Sequence, residues 1–398
     1  MATNRIYYAD SSCRTFQAVV SRAFEYEGHP AVTLDRTAFY PSSGGQPFDT
    51  GHLGAAGVVE TVDADGDVIH VLSAGLAARV AVTGEIDWAR RFDHMQQHTG
   101  QHVLSAAFER LFNNRTVGFH MGTDVSTIDL AMEAPPPEVE RAVDEANGIV
   151  WEDRPVSIRL VSPAEAANLP LRKESGRDGT LRLIDISGFD LSACGGTHVE
   201  RTGAIGVITA LSAERLRGGT RLTFACGGRA LRALRTFRNA VAGSVRVLSV
   251  LPHDLPAAVE RVQGESKDLR RQITRLQEKL VAHEGARLAA AALEVGAVRL
   301  VVQSIDGWDA GGLKALAAAA TVGVRACVVL VSPVPPASLV VACSAGVPVD
   351  ANAVLQQLTS RFGGRGGGKR ELAQAGGLTA PVADIVVAAR TLIESTLR

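Results

Sequence analysis

An α+β protein of several domains is predicted by three features of this sequence. The chain has 398 residues, its first ninety read as short alternating strands, and at about residue 91 the apolar spacing turns helical. A single core rarely organises more than about 250 to 300 residues, so two or three domains are expected. The elements divide the chain into a small N-terminal β-barrel over 1–90, an α+β metal-binding domain over 91–245, a helical coiled-coil connector over 246–292 and an α/β domain over 293–398.

Composition narrows the function classes. At 46% hydrophobic and 21% charged residues the chain is of the folded globular kind. A formal net charge of −1 argues against bulk nucleic-acid binding, so any such surface has to be local. Five cysteines, Cys13, Cys194, Cys226, Cys327 and Cys343, are odd in number and widely spaced, which is no disulfide framework. With no signal-peptide pattern and no bilayer-length apolar run, a cytoplasmic protein is expected.

In the first ninety residues, Ala31 to Leu34, Gly57 to Val59, Val68 to Leu72 and Val80 to Ile86 alternate or run apolar, and Asp63 to Asp67 signals a hairpin. Between them lies Thr37-Ala-Phe-Tyr-Pro-Ser-Ser-Gly44-Gly45-Gln46-Pro-Phe-Asp49-Thr-Gly51. Its glycines allow a backbone to approach a ligand closely, or simply form a turn between strands.

Val103, Leu104, Ala107, Phe108, Leu111 and Phe112 recur at helical spacing, predicting a helix over about 91–113. His94, His98 and His102 are four residues apart and stack on one face of it. About ninety residues later, Cys194-Gly-Gly-Thr197-His198 offers a thiolate and an imidazole from one tight loop. Together these supply four or five donors suited to zinc. The zinc-protease pattern needs a Glu beside the first ligand His, and Thr99 stands there instead. Strands are predicted at 117–122, 126–130, 181–186, 205–210 and 220–226, with a helix at 137–149.

Val259, Val262, Leu269, Ile273, Leu276 and Leu280 form a short heptad seam, which would join two subunits as a homodimer or fold back within one chain. From about 297 strand-like and helical runs alternate. Gly363 to Gly377, with Arg365, Lys369 and Arg370, reads as a glycine-rich loop before a short helical stretch and is a candidate phosphate cradle.

Four motifs in this order resemble the editing half of alanyl-tRNA synthetase and the free-standing alanyl-tRNA editing proteins of the long AlaX type. They are Thr37 to Gly51, His98-Thr-Gly-Gln-His102, Cys194-Gly-Gly-Thr-His198 with Thr202 to Gly206, and Gly366 to Gly377. The resemblance implies a zinc-dependent aminoacyl-tRNA deacylase. Its expected substrates are tRNA(Ala) mischarged chiefly with serine and secondly with glycine. Editing is expected in trans, because no aminoacylation segment precedes these motifs.

Carried over by position, His98, His102, Cys194 and His198 match the zinc ligands of the family. Thr37, Gly44, Gly45 and Gln46 match the motif bordering the amino-acid pocket, with Thr197 and Asp190 as further substrate contacts. Where synthetase editing domains carry a Gln, this chain reads Val117-Gly-Phe-His120, so His120 joins Thr37 as a catalytic candidate. Arg365, Lys369 and Arg370 are the expected tRNA contacts. The competing readings are a non-catalytic zinc-stabilised tRNA-binding module and a deacylase for another mischarged tRNA, such as seryl-tRNA(Thr). The second metal motif of threonyl-tRNA synthetases ordinarily has Pro where this chain has Thr197.

Overall fold

The computed structural model describes residues 3–64, 66–173 and 179–398, and the chain divides into two compact units, 1–244 and 245–398. In the first unit six strands pair in a closed ring. In ring order they are Thr15–Tyr26, His29–Leu34, Asp67–Leu72, Ala56–Ala64, Gly51–Leu53 and Ala81–Ile86. Alternate side chains such as Phe16, Ala18 and Val20 turn inward onto Leu34, Leu53, Val58 and Leu72. Residue 65, at the tip of the hairpin signalled by Asp63 to Asp67, lies outside the described residues.

Helix α1 (Trp88–Phe112) follows the ring directly. Asp87 caps its start by accepting the Arg90 amide, and Asn113, in the left-handed region at φ 52°, ends it. Its apolar side packs against α2 (Pro136–Trp151) and an antiparallel sheet. The sheet order is Ile208–Leu216, Gly219–Cys226, Ser126–Leu130, Thr116–Met121. The approach is close at Gly100, where a Cβ would overlap the Cys226 thiol. A strand expected over 205–210 begins only at Ile208, because Thr202–Ile205 turns as a short 3-10 helix ending at Gly206, φ 85°.

A three-stranded antiparallel sheet, Val156–Val161, Leu181–Ile186 and Asp190–Ala193, delivers the second metal motif, and α3 (Pro163–Ala166) lies between its first two strands. After Cys226 the chain enters α4 (Gly227–Leu248), a helix not anticipated from the sequence.

The second unit takes in the end of α4 and continues as α5 (Leu255–Ala290), one continuous helix. The seam residues Val259, Val262, Leu269, Ile273, Leu276 and Leu280 are all exposed along it. A six-stranded mixed sheet follows, covered by α6 (Ala310–Ala319), α7 (Ala351–Phe362) and α8 (Val382–Leu397). Cys327 and Cys343 pack within that sheet.

The glycine-rich stretch departs from expectation: Arg365–Gly368 and Leu372–Leu378 pair as an edge hairpin, so a strand stands where a short helical stretch was expected after Arg370. A Cβ at Gly366 or Gly368 would overlap the facing strand, so the glycines permit strand pairing and do not shape a helix-capped phosphate cradle. None of the described helices is long and apolar enough to cross a membrane.

Candidate metal centre

Helical spacing in α1 and the turn after Asp190–Ala193 bring four side chains together. The donor atoms of His98, His102, Cys194 and His198 all lie within 4.8 Å of one another. The Cys194 thiol is 3.3 Å from His98 Nε2 and 3.4 Å from His198 Nε2. The loop can close this tightly because Gly196 has no side chain: a Cβ there would overlap the His98 ring and come 2.9 Å from Gln46 Oε1. Gly196→Ala should therefore keep the fold and lower metal affinity at least tenfold, measured by metal content and competitive chelation; an unchanged affinity would refute this account of the loop.

Each imidazole has its other nitrogen occupied. His98 Nδ1 is 2.8 Å from Gln46 Oε1, which also accepts the Thr197 amide at 3.0 Å, while Gln46 Nε2 donates to Thr197 Oγ1 at 2.8 Å. Because a backbone N–H can only donate, the atom it meets is the amide oxygen, and the proton on His98 sits on Nδ1. His102 Nδ1 donates to Asp190 Oδ2 at 3.0 Å, and His198 Nδ1 is 3.1 Å from Thr99 Oγ1. Two of the three tautomers are thus set with the Nε2 lone pair turned toward the thiol, the arrangement metal-ligating histidines require.

The electrostatics agree with that geometry. Burial, then His98, pushes His198 down to about 3, so it is neutral over the working range. Burial opposes ionisation of the Cys194 thiol, yet His98 and His198 draw it well below the ordinary thiol range. Asp190 is likewise buried, but hydrogen bonds from His102 and Arg172 hold its carboxyl below the usual carboxylate range. Burial would lower His102, but its contacts with Asp190 and Cys194 raise it instead. Three imidazoles and a thiolate-prone cysteine form a donor set that fits Zn2+.

Not every predicted site residue stands where the sequence reading put it. Asp190 accepts from His102, from Arg172 at 2.6 and 3.1 Å and from Ser192 at 3.0 Å, so its oxygens are committed to holding the ligand and not to substrate. Thr197 is likewise fully buried against Gln46. The Thr37 hydroxyl is fully buried, 2.8 Å from His70 Nε2 and accepting the Phe39 amide at 3.1 Å. His70 Nδ1 meets the Val32 carbonyl at 3.3 Å and so carries the ring proton, leaving the Thr37 proton for His70 Nε2.

His120 is exposed, while its neighbour Phe119 stacks on His98 with centroids 5.5 Å apart. Successive strand side chains face opposite ways, so His120 points away from the donor cluster. Gly44 and Gly45 take positive φ, and Gly45 packs against Phe119, forming one wall beside His98. His94 is buried outside the cluster; its Nδ1 has no partner among the described residues, and burial pushes it down to about 4. Arg365, Lys369 and Arg370 are exposed at the edge hairpin of the second unit.

The sequence reading missed Thr99, Phe119, Arg172 and Arg182. Arg182 donates to the Cys194 carbonyl at 2.6 Å and to the Tyr8 carbonyl at 2.9 Å, fixing the loop that carries the thiol. An arginine flanked by Leu181 and Leu183 in a largely apolar strand was the available signal.

A family model described as the threonyl and alanyl tRNA synthetase second additional domain matches residues 181–222, which include Cys194 and His198. The alanyl-tRNA editing protein AlaX-L of Pyrococcus horikoshii is 30% identical over 386 residues, covering 93% of each chain. Alanine–tRNA ligases of Halorubrum lacusprofundi and Pyrococcus abyssi are 36% and 33% identical over 399 and 390 residues. They cover 96% and 94% of this chain but 43% and 42% of their own length, so the chain spans less than half of each ligase. The C-Ala domain of Aquifex aeolicus alanyl-tRNA synthetase covers 27% of this chain at 24% identity with a TM-score of 0.24, too low to carry a structural argument. The near-complete alignment with AlaX-L places the chain in a family: it belongs to the AlaX-L alanyl-tRNA editing proteins.

Proposed function

We propose that this protein is a zinc-dependent hydrolase that deacylates tRNA(Ala) mischarged with serine, and secondly with glycine. The observation that carries the reading is the convergence of His98, His102, Cys194 and His198, with the outer nitrogens of the imidazoles occupied by Gln46, Asp190 and Thr99. These four residues would hold one Zn2+ per chain. Bound there, zinc supplies Lewis acidity that polarises an ester carbonyl and lowers the pKa of water.

The rest falls to the protein's own side chains. Gln46 binds both halves of the site together by joining His98 to Thr197. Gly44, Gly45 and Phe119 line one side of the aminoacyl space beside His98. Discrimination against alanine requires a polar group left unpaired when the substrate lacks a hydroxyl, an effect that reaches 10⁴-fold or more in sites built this way. Arg365, Lys369 and Arg370 on the edge hairpin are the second unit's candidates for phosphate contact.

Purified protein with measured zinc should release amino acid from seryl-tRNA(Ala), more slowly from glycyl-tRNA(Ala), and leave alanyl-tRNA(Ala) intact. Cys194→Ala should abolish both zinc and hydrolysis. Hydrolysis confined to seryl-tRNA(Thr) would move the substrate assignment, and no hydrolysis of any ester would leave only a tRNA-binding module.

A further inference from the structure

Helix α4 presents a basic surface that the deacylase reading does not use. Over Gly227–Leu248 it contains five arginines, Arg229, Arg232, Arg235, Arg238 and Arg246, and no acidic residue, in a chain whose net charge is −1. Its first turn is built into the metal helix. Arg229 is buried, with Nε and Nη2 on the Asp93 carboxylate at 2.7 to 3.1 Å and Nη1 on the Gly122 carbonyl at 2.7 Å. Gln97 of α1 brackets Cys226, accepting its amide at 2.8 Å and donating to its carbonyl at 3.1 Å. Asp93 and Gln97 belong to the same ten-residue stretch as His98 and His102, so one segment holds the donors and sets the course of α4.

Beyond that root the helix is exposed. Arg232 keeps a 3.7 Å approach to Asp93; Arg238 reaches only the Asn239 side chain; Arg235 has no carboxylate within 4 Å among the described residues. Residues three apart on a helix are surface neighbours, so Arg232, Arg235 and Arg238 form a stripe, at about 1.5 Å rise per residue some 9 Å long. That length matches two to three phosphates of one strand at about 3.4 Å spacing along the axis. The guanidinium fork suits phosphate oxygens.

We propose that Arg232, Arg235 and Arg238 bind the phosphate backbone of the RNA substrate adjoining its esterified 3′ end. This deepens, and rests on, the deacylase reading above. The stripe starts within two helical turns of the residue that roots α4 to the metal helix, so an RNA end at the donor cluster leaves by a path that α4 can follow. The adjoining face, about 100° round the helix, exposes Leu231, Leu234 and Phe237 and would suit an anionic membrane instead; nothing ties a membrane to the metal helix, and the test separates the two.

The experiment uses the full chain with Arg235→Glu and Arg238→Glu combined, and with both changed to Lys. Affinity for transcribed tRNA(Ala) is measured by filter binding between 50 and 300 mM salt, beside hydrolysis of serine esterified to adenosine, which has no phosphate backbone. The reversed variant should bind tRNA at least tenfold more weakly at low salt. Its slope of log K against log salt should be shallower by about 1.4 to 1.8, two phosphates at about 0.7 to 0.9 each. Lysines should restore most of the slope, and adenosine-ester hydrolysis should be unchanged in both.

Unchanged tRNA affinity and slope would overturn the proposal, as would parallel loss of adenosine-ester hydrolysis or metal, or loss of binding to anionic vesicles alone. Salt-dependent tRNA binding that needs the arginines, in a wild-type protein that cleaves no ester, would sustain this surface and bring down the deacylase reading.

Discussion

Arg91→Ala should cost the first unit about 3–5 kcal/mol, read as a fall in the denaturant midpoint, because it strands a buried carboxylate. Arg91 and Asp49 are both fully buried and ion-paired. The guanidinium also donates to the carbonyls of Ser11 at 2.9 Å and Ala38 at 2.5 Å, and Asp49 accepts the Tyr40 amide at 2.7 Å. Arg91 lies two turns before His98 on α1, and Asp49 closes the glycine-rich segment that carries Gln46. The pair therefore fixes the distance between the metal helix and the residue that orients its first ligand. Arg91→Met with Asp49→Leu should recover part of the loss, since no charge is left unpaired. A single variant within 1 kcal/mol of wild type would contradict this view of the contact.

Asp190→Asn should weaken metal binding by about 10- to 100-fold, because His102 loses the acceptor that fixes its proton and Arg172 loses its counter-charge. It should also change the pH dependence of stability. The folded state holds the Asp190 carboxyl below its ordinary range. Through that window the unfolded chain binds the extra proton, so stability rises with pH there. The contribution is present above the unfolded value of about 4 and lost as pH falls toward the lower folded value. Urea titrations of metal-free protein should show this acid-side loss in wild type and a flatter curve in the variant. Equal slopes would mean that Asp190 is not held ionised by His102 and Arg172.

The donor set was legible because two kinds of local spacing carry it: four residues along a helix, and a Cys and His separated by two glycines and a threonine. Their supporting partners were legible only as residue types. Gln46 and Asp190 were singled out, but as substrate contacts, since sequence gives no sign that Gln46 meets His98 across 52 positions or that Asp190 meets His102 across 88. His120 shows the same blindness at shorter range. Whether a strand shows its even or odd residues to the site depends on register, and Phe119 won that face. Helix α4 carried a readable sign, Leu231, Leu234, Phe237 and Val241 at helical spacing, but in the fold the first three of these side chains lie exposed and anchor no core. The edge hairpin at Arg365–Gly368 was obscured because glycines that permit strand pairing look like glycines that make a loop.

The four donors arrive in two instalments, His98 and His102 from one helix, then Cys194 and His198 from a turn that starts 92 positions after His102. Neither instalment holds a metal well alone. The four donors thus come together only in molecules whose three-stranded sheet has docked on α1, and a metal bound by all four would report completed assembly. Free metal at a hundredfold excess over its dissociation constant would deepen the folded basin by about 2.7 kcal/mol. Chelation would return that increment, so a metal-bound protein should resist proteolysis longer than the same protein with a chelator.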